Sequence, residues 1–313
     1  MSFEAGGRAW AVSPDDGRTL TCQFEVSTPG IFSWGPLGDR VVLRNLQVRG
    51  VGNPVSRPAV AGGATYFSWS RPTGTTVIFT KGDRHFLMRA DMGKAGTQDI
   101  TPVPGKTYGD MAYHPSGLAI GFVTTDASGS QIAMSTNLGQ SAVTLVQADQ
   151  GTTFPHLVFA HDGKGLFYSI EKKDGTHALG RYELESGSVD PKLWTGDAPV
   201  ADMVELGGVP GLALTLGATC ETHRAVFTAL DGSPDVKLDP GVGGPVSVVG
   251  RLDADRFAVA AGGCGEPQDL YLVHRSGAAP QLLVKGADAA ALRIAEPTPP
   301  PPLPGDLPRS GFA

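Results

Sequence analysis

Two carboxylates and one imidazole recur at equal spacing along the sequence, and these residue types could do chemistry together. Asp110, His156 and Asp202 lie 46 residues apart, each just before a short apolar run, and Tyr66 holds the same place 44 residues before Asp110. Carboxylates flanking an imidazole could bind a metal cation or hold a basic group of a ligand. The alternative is that they are solvated loop residues or caps on turn amides. We predict all four as candidate ligand-binding residues, with Asp110, His156 and Asp202 as candidate metal ligands.

The cysteines show a similar spacing. Cys220 and Cys264 lie 44 residues apart, so they fall in equivalent loops of two neighbouring segments. A disulfide between them requires the two loops to lean together, and it would indicate an oxidising compartment. The sequence has no Cys-x-x-Cys motif, which disfavours a zinc site.

No catalytic motif accompanies these residues. The sequence lacks a Walker loop, a His-Glu-x-x-His motif and a Gly-x-Ser-x-Gly motif between a strand and a helix. His114 and His161 precede Pro and Asp-Gly, so ordinary turn formation explains both. These absences favour a non-enzymatic function, although a few loop residues far apart in sequence could still build an active site.

The elements that must position the candidate residues form a repeat. An apolar or aromatic strand, a Gly- or Pro-containing turn and a second apolar strand recur with starts at residues 67, 111, 157, 203 and 246. Two further strands joined by Gly turns follow in most copies, and helical periodicity is nearly absent. Four short strands in about 45 residues are the length of one β-propeller blade. The sequence therefore predicts an all-β propeller of about seven four-stranded blades, with six as the alternative.

The two chain ends are predicted to complete one blade. Residues 7–13 and 20–26 have the character of third and fourth strands, and residues 289–295 that of a first strand. Joined, they would close the ring and remove exposed sheet edges. We expect one domain over residues 1–295, followed by a proline-rich tail over 296–313 that acts as a spacer or as a partner-recognition peptide.

The turns of the repeat carry a family resemblance. The segments 34–38, 69–74, 113–117 and 159–163 are similar to the Trp-Ser-Pro-Asp-Gly signature of TolB-like, WD-type β-propeller repeats. The resemblance implies a protein-binding platform of the bacterial envelope or a propeller attached to a peptidase. A hydrolase domain does not fit beside the repeats in 313 residues. Residues 1–10 lack the features of a signal peptide, so we expect either a cytoplasmic protein or the mature form of an extracytoplasmic one, the location that the resemblance implies.

Composition narrows the range of partners. The formal net charge is −6 and no Lys/Arg cluster is present, which argues against nucleic acid. No apolar run is long enough to span a bilayer. We therefore expect a scaffold that binds a protein or peptide at one rim of its central channel, with no cofactor except a channel-bound divalent cation as an option. The alternative is a small-molecule enzyme or ligand-binding propeller of lyase, isomerase or hydrolase type. The oligomeric state stays open.

Overall fold

The computed structural model describes fourteen stretches of the chain; in several N-terminal strands it describes the backbone alone. These stretches are residues 2–5, 8–12, 19–25, 33–34, 40–42, 48–50, 65–69, 76–81, 84–89, 97–101, 107–127, 129–136, 141–205 and 210–291.

Short β-strands make up nearly all the regular structure of these residues. The first six are β1 (Ser2–Ala5), β2 (Arg8–Val12), β3 (Thr19–Glu25), β4 (Ser33–Trp34), β5 (Arg40–Val42) and β6 (Val48–Gly50). The next thirteen are β7 (Thr65–Trp69), β8 (Thr76–Lys81), β9 (Arg84–Arg89), β10 (Thr97–Asp99), β11 (Thr107–Tyr113), β12 (Ile120–Asp126), β13 (Gly129–Ser135), β14 (Val143–Gln147), β15 (Thr152–Thr153), β16 (Leu157–Phe159), β17 (Gly165–Lys172), β18 (His177–Glu183) and β19 (Val189–Gly196).

The C-terminal part of the described chain adds nine strands and one 3-10 turn. The strands are β20 (Val200–Glu205), β21 (Gly211–Leu216), β22 (Arg224–Ala229), β23 (Val236–Lys237), β24 (Val246–Arg251), β25 (Arg256–Ala261), β26 (Gln268–His274), β27 (Gln281–Ala287) and β28 (Ala289–Ala291). The 3-10 turn, Cys220–Thr222, lies between β21 and β22.

Consecutive strands pair antiparallel, as in the up-and-down sheet of a propeller blade. Among the described residues, five sheets have four strands each. Their orders are β28-β1-β2-β3, β10-β9-β8-β7, β11-β12-β13-β14, β20-β21-β22-β23 and β24-β25-β26-β27. A further sheet has five strands because β15 and β16 both pair with β17, and the sheet β4-β5-β6 has three.

One sheet is assembled from both ends of the chain. Residues 2–4 of β1 pair with residues 289–291 of β28, and β2 and β3 complete the sheet. The third and fourth strands of this sheet therefore lie where the sequence placed them. The second strand, Ser2–Ala5, was missed, because four residues ahead of a Gly-Gly pair carry too little alternation to identify a strand.

The chain divides into two compact units. We call residues 64–200 with 296–313 the central unit, and residues 1–63 with 201–295 the terminal unit. In the central unit, buried side chains of neighbouring sheets form shared cores, such as Val123 and Ile132 with Phe159 and Tyr168. In the terminal unit the rings of Phe227 and Phe257, from successive sheets, lie 5.7 Å apart. Each core thus lies between the faces of adjacent sheets, where apolar area is removed from water.

The aromatic side chains that end the first strands belong to these cores. Trp69, Tyr113 and Phe159 are all at most 6% exposed. The phenol oxygen of Tyr113 lies 3.0 Å from Thr76 Oγ1 of the preceding sheet. Their role is therefore packing between sheets rather than stacking on a ligand.

No helix within the described stretches is long and apolar enough to span a membrane.

Candidate functional site

The first strands of three successive sheets in the central unit each contain one extra residue at the same point. In β7 the residues on either side of Tyr66 pair with consecutive residues of β8, so Tyr66 is the extra one. In β11, Gly109 and Asp110 together face one residue of β12. Three residues ending at His156 separate β15 from β16, where β17 spans the gap with two. Bulges of this kind redirect a side chain and recur beside binding sites.

The bulges bring two of the four predicted residues into contact. His156 Nδ1 lies 2.9 Å from Asp110 Oδ2, with the two side chains 16% and 14% exposed. A carboxylate only accepts hydrogen bonds, so Nδ1 carries the proton and donates it. The Asp110 carboxylate therefore fixes the orientation of the imidazole, as orienting carboxylates do for a histidine that acts as a base or ligand.

The backbone around His156 is held by Ser169 of β17. The His156 N–H donates to Ser169 Oγ at 2.9 Å, and the Ser169 N–H donates to the His156 carbonyl at 3.0 Å. Ser169 is 1% exposed. Its hydroxyl thus supports the bulge and is too buried to meet a substrate.

Gly109 lies in the bulge of β11, against the next strand of its own sheet, β12. A Cβ on Gly109 would lie 3.3 Å from Val123 Cβ and 3.7 Å from the carbonyl oxygen of Pro155, the residue before His156. The first distance is tighter than ordinary carbon–carbon contact. The absence of a side chain at Gly109 therefore allows the bulge to lie close against β12.

One oxygen of the Asp110 carboxylate is unsatisfied. Oδ1 is buried and accepts no hydrogen bond from the part of the chain that the structure describes. Most buried polar atoms in proteins have a hydrogen-bond partner, and a carboxylate oxygen without one is costly. The Asp110–His156 pair thus has an unused acceptor beside an oriented imidazole.

The other two predicted residues are described separately. Asp202 belongs to the terminal unit, where its exposed side chain accepts a hydrogen bond from the Met203 N–H at 2.8 Å. The backbone of Tyr66 lies at the β7 bulge, and its side chain is outside the described residues. In the described stretches no three His, Cys, Asp or Glu side chains come together as a metal site would need.

His114, in the turn between β11 and β12, has a different environment. It is fully buried; its Nε2 donates to the Gly163 carbonyl at 2.8 Å and its Nδ1 accepts from the Ser116 N–H at 3.1 Å. The Phe159 ring packs edge-on at 5.1 Å. Burial lowers the pKa of the imidazole, so His114 is neutral. It joins turns of two neighbouring sheets, a role that the sequence does not reveal.

A disulfide joins Cys220 and Cys264 in the terminal unit, with their Cα atoms 5.8 Å apart. The two loops do lean together, and the connection between β23 and β24 is hydrogen-bonded to residues beside both of them. The Gly262 N–H donates to the Pro245 carbonyl, and the Val246 N–H donates to the His223 carbonyl. The bridge therefore belongs to a braced group of loops.

Comparison with known proteins identifies the fold. No protein-family model matches the sequence, and a search of curated proteins found no match. The chain is similar to the structure of putative TolB from Agrobacterium tumefaciens, with 13% identity and TM-score 0.58 over 75% of this chain and 86% of that one. It is also similar to the β-propeller domain of Cps50 (Swd1) from Myceliophteria thermophila, with 12% identity and TM-score 0.58 over 84% and 88%.

A third similar structure is an enzyme. An oligogalacturonate lyase in complex with manganese matches with 10% identity and TM-score 0.64 over 85% of this chain and 82% of that one. These comparisons show the β-propeller fold, which a TolB protein and a Cps50 (Swd1) propeller domain share, as the turn signature predicted. At these identities the likeness concerns the fold, which is shared by binding platforms and enzymes.

Proposed function

We propose that this chain is a non-enzymatic β-propeller that binds a protein or peptide partner at the rim where its first strands begin. The observation that supports this most directly is the repeated bulge, which places Tyr66, Asp110 and His156 at the same point of three successive first strands. A surface built by equivalent positions of several blades suits an extended partner. The TolB-like and WD-type likeness supports the same class of function.

The chemistry around the pair favours binding over catalysis. The hydroxyl hydrogen-bonded to the His156 backbone belongs to Ser169, which is 1% exposed and already engaged. A nucleophile activated by His156 would need to lie within hydrogen-bond reach of the imidazole and be open to substrate. We therefore assign the pair to recognition.

Site-specific photo-crosslinking tests this proposal. Thr153 is exposed in β15, three residues before His156, and Leu118 is 65% exposed in the turn after β11. We expect benzoylphenylalanine at position 153 to form an adduct with a partner in cell extract, and the same residue at position 118 to form none. His156→Ala should reduce the adduct from position 153. Equal adducts from both positions, or an adduct indifferent to His156→Ala, would contradict binding at this rim.

The second candidate is a small-molecule enzyme or ligand-binding propeller of lyase, isomerase or hydrolase type. The oriented imidazole of His156 favours it, and so does the likeness to a lyase that binds manganese. Titration calorimetry with manganese chloride separates the candidates. Saturable binding that Asp110→Asn and His156→Ala each abolish would support a metal-dependent activity and displace the scaffold proposal.

We also propose that the ring has seven blades and is closed by both chain ends. Five sheets of the described residues have the four strands of a complete blade, and the number reaches seven only if the five-stranded sheet and the β4-β5-β6 sheet are each counted as a blade. Six blades is the alternative, and an experimental density map would decide by the number of sheets around the channel. Residues 1–295 would then fold without the tail, so truncation after residue 295 should leave the melting temperature unchanged. The tail itself lies outside the described residues.

The extracytoplasmic location is likewise a proposal. The Cys220–Cys264 bridge supports it, because disulfides persist in oxidising compartments. Maleimide labelling of the denatured protein from its native cells should modify Cys22 alone. Modification of all three cysteines would place the protein in a reducing compartment.

A further inference from the structure

Only one oxygen of the Asp110 carboxylate accepts a hydrogen bond from the described residues. Oδ2 accepts the His156 proton at 2.9 Å, whereas Oδ1 is buried and accepts nothing from the described residues. Within those residues His156 is also the one side chain at ion-pair distance from Asp110. An imidazole carries a positive charge only when it is protonated, so His156 does not give Asp110 the permanent positive charge that a Lys or Arg side chain would.

A positively charged group from outside the chain would stabilise this carboxylate from its accessible side. A buried anion is stabilised far more by a charged donor than by a neutral one. A divalent metal needs several ligands, and the described residues bring no three such groups together. One carboxylate is sufficient for an organic cation, because an ammonium or guanidinium carries its own hydrogen-bond donors.

The geometry allows such a group to approach. The Asp110 side chain is 14% exposed, so one side of the carboxyl group remains accessible while Oδ1 faces inward. A cation that binds on the accessible side lies next to the carboxylate and stabilises the negative charge that its two oxygens share.

We propose that the Asp110–His156 pair is a subsite for the cationic side chain of a lysine or arginine supplied by the bound partner. This rests on the proposed function, since it names the chemistry that the partner presents at that rim. His156 acts as a positioning residue: its Nδ1–H holds one carboxylate oxygen and thereby orients the other. The net charge of −6 assists the approach of a cationic segment.

Small model compounds test the proposal without the partner. The probes are N-acetyl-arginine methylamide, N-acetyl-lysine methylamide and the neutral isostere N-acetyl-citrulline methylamide. Each is titrated at about pH 8, above the ordinary imidazole range, while the His156 Cε1–H signal is followed by NMR. We expect a saturable shift with arginine or lysine, whichever the subsite fits, and at least about tenfold weaker binding of citrulline.

A matched pair of variants locates the charge that matters. Asp110→Asn keeps the shape and removes the carboxylate, and Glu185→Gln removes the same charge from an exposed turn residue. The cationic probes should lose about tenfold or more of their affinity in Asp110→Asn and keep it in Glu185→Gln. Equal binding of citrulline, no binding of any probe, or equal losses in both variants would overturn the cation subsite.

The two proposals can fail separately. If position 153 still crosslinks a partner in a His156-dependent manner while the probes do not bind, the rim binds a partner through other chemistry. If both the probes and the crosslinks fail, the rim is not a binding site.

Discussion

His114 and His156 are two imidazoles of the same unit with opposite hydrogen-bonding situations. Both ring nitrogens of His114 are engaged within the chain, by Gly163 and Ser116, and the ring is fully buried. His156 is 16% exposed and is paired with a carboxylate that retains an unsatisfied buried oxygen. A satisfied, buried polar group stabilises the fold, whereas an unsatisfied one calls for a partner beyond the described residues, such as a water, an ion or a ligand.

We expect the largest loss of stability from the His114→Ala substitution. His114→Ala removes two buried hydrogen bonds and opens a cavity beside Phe159. We expect the free energy of unfolding to fall by about 3 kcal/mol, measured by urea denaturation. His156→Ala, made for comparison, should cost less than half as much. Equal losses would remove the distinction between the two histidines.

We expect the free energy of unfolding to decrease at acidic pH because His114 becomes protonated when the protein unfolds. Burial lowers its pKa, so the folded state binds fewer protons than the unfolded state once the pH falls below about 6.5. Stability is therefore complete above that pH and decreases below it, by at most about 1.4 kcal/mol per pH unit for this group. Urea denaturation from pH 7.5 to 5 measures the slope. His114→Gln should flatten it, and an unchanged slope would assign the effect elsewhere.

Gly109→Ala should lower the free energy of unfolding by an intermediate amount, and it changes the surroundings of the Asp110–His156 pair rather than those of His114. The added Cβ would press on Val123, at 3.3 Å, and displace Asp110 relative to His156. We expect about 1 kcal/mol of destabilisation together with loss of the crosslink from position 153. A variant that keeps full crosslinking would show that the bulge geometry is unimportant for binding.

The smallest stability effect is expected for Asp110→Asn. The pair is partly exposed, and the Asn oxygen can still accept the His156 proton. The free energy of unfolding should therefore change by only about 0.5 kcal/mol, as thermal or urea denaturation would show. A loss of several kcal/mol would mean that this pair, like His114, serves the fold.

The repeat made much of the architecture predictable. Starts near residues 67, 111, 157, 203 and 246 agree with β7, β11, β16, β20 and β24, because apolar strands bounded by Gly and Pro turns are recognisable in a sequence. The same alignment placed Asp110 and His156 in one column, and they are in contact. Ser2–Ala5 was missed because its pairing depends on residues 289–291 at the other end of the chain.

Other features of the site depend on three-dimensional detail that the pattern does not encode. The bulges arise from a mismatch of one residue between paired strands, which spacing along a single strand does not reveal. The role of His114 depends on the carbonyl of Gly163, 49 residues away.

The most direct test of the account is the crosslinked fraction from position 153 in the Asp110→Asn background. The account predicts that the adduct falls about tenfold, while the melting temperature stays within about 2 °C of the unsubstituted protein. An adduct of unchanged yield in a folded Asp110→Asn protein would contradict the claim that the Asp110–His156 pair binds the partner.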